Sequence, residues 1–149
     1  MTNPIPSHII DFIQSNHVVN FATHNNDDFW AANCFYAFDQ ENARLIILTA
    51  KKTRHAQIML ENPQIVGTIC GQIEKIKEIE GVQFSATAKC LEDKETEKAA
   101  LQIYYEKHPL ARLKPSDVWE ISFNTIKHTG NKFVFAQKSI WSKNATQSP

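Results

Sequence analysis

Arg44–Pro63, RLIILTAKKTRHAQIMLENP, is the stretch from which the rest of the chain can be read. Its opening run, Leu45-Ile46-Ile47-Leu48, is short, continuous and rich in β-branched residues, which describes a buried strand. Its closing AQIMLENP sets Ala56, Met59 and Leu60 at helical spacing and stops at Asn62-Pro63. Between the two lies Lys51-Lys52-Thr53-Arg54-His55. Thr53 is the natural N-cap, so Arg54 and His55 fall in the first helical turn.

Cations are misplaced there. The first turn presents unpaired N–H groups and the positive end of the helix dipole, and a positive side chain beside them costs about 0.3–1 kcal/mol. The helix predicted over Asp93–His108 obeys the usual rule, with Asp93, Glu95 and Glu97 at its start and Lys107 and His108 at its end. Lys51, Lys52, Arg54 and His55 at a helix entrance make electrostatic sense if an anion belongs between them. Backbone donors and basic side chains converging at a strand-turn-helix form a phosphate cradle. The competing reading is a solvated basic turn.

A chain of 149 residues suffices for one domain with a proper core, here 1–149 with a polar tail expected from Ser142 to Pro149. Sixteen basic residues balance sixteen acidic ones, which argues against nonspecific binding to nucleic acid or to a membrane surface. The positive charge is local, so the expected partner is a small anion. Cys34, Cys70 and Cys90 are odd in number, widely spaced and set in strand-like runs, as reduced core thiols of a cytoplasmic protein would be. No signal peptide and no membrane span is indicated.

In chain order, Pro6-Ser7 starts a short helix with Ser7 as its cap and Ile9, Phe12 and Ile13 as its buried stripe. His17–His24 reads as a strand. After a turn at Asn25–Asp28, Phe29–Phe38 (FWAANCFYAF) is apolar on both faces, as a strand is when it is doubly covered or lies against a flat ligand or partner subunit. Asn33 inside it would be a buried amide, serving as a structural bridge or a ligand contact. Gln64–Gln72 is a strand whose Gly67 and Gly71 leave room for close approach. Ile73–Glu80 is a charged hairpin end, and Val82–Cys90 alternates like a half-buried antiparallel strand. The helix over Asp93–His108 has Ala100, Ile103 and Tyr104 as its inner face. Asp117–His128 is again a strand, followed by a turn at Thr129–Asn131 and strands over 132–136 and 138–141. Six or seven strands, two or three helices and no βα alternation describe an antiparallel barrel.

Other chemistry is poorly supported. The six histidines are scattered without metal-ligand spacing, so no metal site is expected. Cys34 has no adjacent base and reads as packing. Trp30 and Trp119 read as core or interface; Trp141, beside a basic segment, is a candidate ligand contact. Four glycines spread across the chain form no nucleotide loop.

Several of these pieces coincide with a known pattern: Trp30–Asp39 (WAANCFYAFD), Leu48-Thr49 with Lys52–Gln57 (KTRHAQ), Gly81–Phe84 (GVQF), Val118–Ile121 (VWEI) and Ile140-Trp141. Over nearly the whole chain this resembles the YhbP-like family, itself similar to the flavin-binding split barrels of the pyridoxamine 5′-phosphate oxidase type. The resemblance implies a mainly β fold, a six-stranded antiparallel Greek-key split barrel. It implies a homodimer with FMN at the subunit interface, and a possible FMN-dependent oxidoreductase activity on an unknown small molecule. By position, Thr49, Lys51, Thr53, Arg54 and His55 correspond to the segment that holds the FMN phosphate in relatives. Backbone at Ile47–Thr49 would face the ring, with Asn33 and Trp141 as further ring or substrate contacts. His55 stands where oxidases of the superfamily usually carry lysine, and Ile76 where they often carry glutamine, which argues against pyridoxamine phosphate as substrate. No catalytic acid or base is assigned; His24, His128 and Tyr36 can titrate or donate. The alternatives are a split barrel holding haem or a deazaflavin, which for haem needs a histidine ligand, and a non-catalytic dimer that binds a phosphorylated ligand.

Overall fold

A computed structural model describes residues 3–130 and 137–144. The expected strand over 132–136, the last residue of the turn before it and the tail from 145 lie outside the described residues.

Helix α1 (Ser7–Ser15) is followed by strands β1 (Val18–His24), β2 (Phe29–Phe35), β3 (Ala37–Asp39) and β4 (Arg44–Leu48). Helix α2 (Arg54–Glu61) leads to β5 (Gln64–Cys70) and β6 (Glu80–Cys90), and α3 (Lys94–Lys107) to β7 (Val118–Gly130) and β8 (Gln137–Ser142). Every pairing is antiparallel, in the order β2-β1-β5-β6-β7-β4-β3, with β8 also on β7. Strand β4 lies beside β7 and reaches β5 only through α2, a Greek-key path. The two ends of the sheet, β2 and β3, are separated in sequence by Tyr36 alone. A sheet whose borders are joined by one residue has to curl, and the result is the expected antiparallel barrel.

Tyr36 also corrects the sequence reading. The apolar run 29–38 is two strands because the chain changes partner at Tyr36. Phe29–Phe35 pairs with β1, the Tyr36 amide makes a last in-register bond to the His17 carbonyl at 2.9 Å, and Ala37–Asp39 then pairs with β4. Its hydroxyl donates to the Ile13 carbonyl at 2.6 Å, and the ring is buried, which pushes the phenol pKa up. Ser7 is the first residue of α1 and makes no side-chain cap; the Pro6 carbonyl receives the Ile9 and Ile10 amides instead. Ser142, expected in the tail, belongs to β8 and accepts from the Asn3 side chain.

The run Leu45–Leu48 is apolar throughout because β4 is covered on both faces. Leu45 and Ile47 join Phe21, Phe84, Trp119 and Phe123 inside the barrel. Ile46 faces outward, where α3 covers it with Ala100 and Tyr104. Strand β1 alternates instead, with Val19, Phe21 and Thr23 buried and Val18, Asn20, Ala22 and His24 exposed. No helix among the described residues is long and apolar enough to cross a membrane.

Candidate cofactor site at the entrance of α2

The turn from β4 into α2 is fixed by its neighbours. Thr49 donates its amide to the Asp117 carbonyl at 3.0 Å, and its own carbonyl accepts from the Trp119 indole at 3.0 Å. The Lys51 amide donates to the Asp117 carboxylate at 2.8 Å, and the Gln57 side chain returns to the Lys51 carbonyl at 2.6 Å. Thr53 is the N-cap, accepting from the Ala56 amide at 3.2 Å while its hydroxyl donates to the Ala50 carbonyl. Backbone N–H and C=O at Thr49 are both paired within the protein.

Four cations do not converge here. The Lys51 ammonium turns to Glu92 at 2.7 Å, which raises its pKa, and Lys52 points to solvent. His55 turns inward: Nε2 lies 2.7 Å from the Thr49 hydroxyl and 3.2 Å from that of Thr53, and the ring meets Phe21 edge-on. Burial holds its pKa below the usual 6.5, so the imidazole is neutral at pH 7. Arg54 alone stays at the entrance. Its guanidinium lies over the Trp30 ring at 3.8 Å and donates twice to the Asp28 carboxylate. That pair lowers the pKa of Asp28 and raises that of Arg54. Among the described residues, the amides of Arg54 and His55 have no acceptor. The arrangement is a single clamped guanidinium beside two free helix N–H groups, which can hold one oxyanion.

Beside Trp30 runs an apolar cleft of about 400 Å³ lined by Ala22, Thr23, Phe29, Trp30 and Ala31. The other expected contacts do not join it. Asn33 is exposed on β2, not buried, and its side-chain oxygen accepts from Asn20 across the strands at 2.9 Å. Trp141 is buried in the barrel, and its indole donates to the Asn3 carbonyl at 3.2 Å. The cysteines are free; Cys34 and Cys90 are partly covered and pack against the barrel core, whereas Cys70 is exposed and is not a core thiol. Burial raises the Cys34 thiol pKa to about 11.

The family model for pyridoxamine 5′-phosphate oxidase matches residues 5–130. A UPF0306 protein of Haemophilus ducreyi is 59% identical over 140 residues, 93% of this chain and 96% of that one. The UPF0306 protein YhbP of Salmonella schwarzengrund is 39% identical over 130 residues, 87% of this chain and 88% of that one. The chain belongs to the UPF0306 (YhbP) family. The match to the pyridoxamine 5′-phosphate oxidase model places this UPF0306 member in that oxidase-like superfamily, and structural neighbours share its split-barrel fold. A haem-binding protein of Mycobacterium smegmatis superposes with a TM-score of 0.72 at 15% identity, over 88% of this chain and 55% of that one. An FAD-binding protein of Mesorhizobium loti does so with a TM-score of 0.69 at 12% identity, over 83% and 93%.

The residues that complete the entrance in this UPF0306 chain, Asp28, Trp30, Glu92 and Asp117, escape a reading along the sequence. One signal points at them. A neutral chain with an uncompensated cation cluster in its sequence has to bring carboxylates to it through the fold.

Proposed function

We propose that the protein is a dimeric split barrel that binds FMN, or a closely related phosphorylated cofactor, at the entrance of α2, and serves a redox reaction on a small molecule. The observation that carries this reading is the pair of amides at Arg54 and His55 that find no acceptor among the described residues, on the same helix turn as a guanidinium already oriented by Trp30. These groups and the Thr53 cap region would hold the phosphate. The cleft along Phe29–Ala31 is flat and apolar, as a ring system requires. A bound flavin supplies hydride or electron transfer; the protein supplies anchoring, orientation and exclusion of water.

The dimer has its own support. The outer face of β2, β1 and β5 exposes Val18, Phe29, Phe35 and Val66, with Ala22 and Ala31 between them in register. The side chains of that face, from Val18 to His24 and Phe29 to Phe35, include no Lys, Arg, Asp or Glu. A contiguous uncharged apolar face suits a self-complementary interface. Sedimentation should give twice the chain mass, and Ala31→Glu, which sets like charges facing across a two-fold contact, should give a folded monomer.

The decisive measurement is the visible spectrum of the purified protein followed by titration with FMN. Flavin absorption, or tight uptake of added FMN, is expected. Arg54→Ala should weaken FMN binding at least about tenfold, because a charge-assisted bidentate donor is lost. Unchanged affinity would remove Arg54 from the site. Haem is the second reading, favoured by His24 on the same face, its ring stacked on exposed Phe29 at 5.7 Å. A Soret band lost in His24→Ala would decide for it.

A further inference from the structure

The turn between β1 and β2 lies as a strap along α2. Asn25 organises it, accepting the amides of Asp27 and Asp28 at 3.0 and 2.8 Å and donating its own amide to the Asp28 carbonyl. At one end of α2, the Asn25 side chain donates to Glu61 at 2.9 Å, and Asn62 donates to the His24 carbonyl. At the other end, Asp28 holds Arg54 through both carboxylate oxygens. The group seated on the guanidinium is thus an oxyanion supplied by the chain itself.

We propose that Asp28 is a built-in competitor for the anion site, and that it sets how much charge a ligand must carry to enter. This rests on the FMN reading above, and concerns its selectivity. A carboxylate brings one negative charge and two acceptor oxygens; a phosphate monoester near neutral pH brings nearly two charges and three oxygens. Arg54 exchanges one for the other only when the incoming group binds more strongly than the carboxylate already in place. Monoanions such as chloride or free carboxylic acids gain little over Asp28 and stay out. A phosphate monoester displaces Asp28, which swings into solvent, while Asn25 and its two amide bonds keep the turn in shape. Trp30 keeps the guanidinium in position during the exchange. With its pKa lowered by Arg54, Asp28 is ionised throughout the neutral range, so the competition is present under all ordinary conditions.

The test compares the wild type with Asp28→Asn and with Asp27→Asn, the latter removing the same charge one residue away from a side chain that does not contact Arg54. Each is titrated calorimetrically with FMN, inorganic phosphate and riboflavin in a phosphate-free buffer. Asp28→Asn should bind FMN and phosphate about tenfold more tightly than the wild type, with riboflavin unchanged and Asp27→Asn equal to the wild type. Weaker or unchanged phosphate and FMN binding by Asp28→Asn would overturn the competitor role and make Asp28 a positioning partner of Arg54. An equal gain in Asp27→Asn would also overturn it, because the effect would then be overall charge. If no protein takes up FMN but Asp28→Asn gains phosphate affinity, the competitor stands and the flavin reading falls.

Discussion

Arg44→Met should destabilise the protein by about 3 kcal/mol at pH 7, measured by urea denaturation. Arg44 joins three strands: its Nε donates to Asp39 of β3 at 2.9 Å and its Nη1 to Glu120 of β7 at 2.8 Å, and all three side chains are largely covered. Methionine fills much the same volume, but it leaves two largely covered carboxylates without a cation. The pH dependence carries the sign. In the wild type, burial pushes the Asp39 pKa up, but hydrogen bonds from Asn42 and Arg44 outweigh it, leaving the carboxyl below its ordinary 3.8. That contribution is present above the unfolded pKa and is lost as pH falls through the folded one. Without Arg44, burial, the largest single influence on Asp39, raises the folded pKa instead, so the variant loses stability as pH rises above the unfolded value. The gap between wild type and variant should therefore narrow from pH 7 to pH 4. A gap that stays constant would mean that the ion pairs contribute nothing specific.

Gly67→Ala should cost a similar amount, about 3 kcal/mol, through overpacking. Gly67 lies in β5 between Phe21 of β1 and Phe84 of β6. A methyl group there would collide with the Phe84 ring and the Asn20 carbonyl oxygen. Neither gives way easily. The ring is held edge-on by Phe123 at 5.1 Å, and the carbonyl belongs to the sheet. Phe84→Leu in the same chain should recover part of the loss, giving a coupling that a double-mutant cycle reads directly. Additive effects would show that the two positions do not share the space.

The strength of local patterns explains what could be read in advance. Alternation in β1 and β6 and the uniform run of β4 identify their strands, because burial on one or two faces writes itself into the residues. The helix α3 announces itself through Asp93, which caps it by accepting from the Thr96 amide at 3.1 Å, and through its charged ends. The division of the 29–38 run was not legible, since Tyr36 looks like one more strand residue and its amide even stays in register with β1; only the change of partner to β4 at Ala37 marks the break. The basic turn was identified correctly as a strand-turn-helix with Thr53 as cap. Its charge was misjudged for a physical reason. Lys51, Arg54 and His55 each find a partner, Glu92, Asp28 and Thr49, that is distant or unremarkable in sequence. Pattern along a chain records burial well; it records pairing across a sheet poorly.

Tyr36 leaves the molecule almost no freedom in how its rims meet. Connecting segments in proteins usually accept extra residues cheaply, but here the link is also a corner that must hand the chain from one margin of the curved surface to the other. Lengthening it would let the seam gape and would present two bare strand margins, each an invitation to another copy. Within this family, length variation should therefore accumulate in the outer turns and spare this single-residue corner.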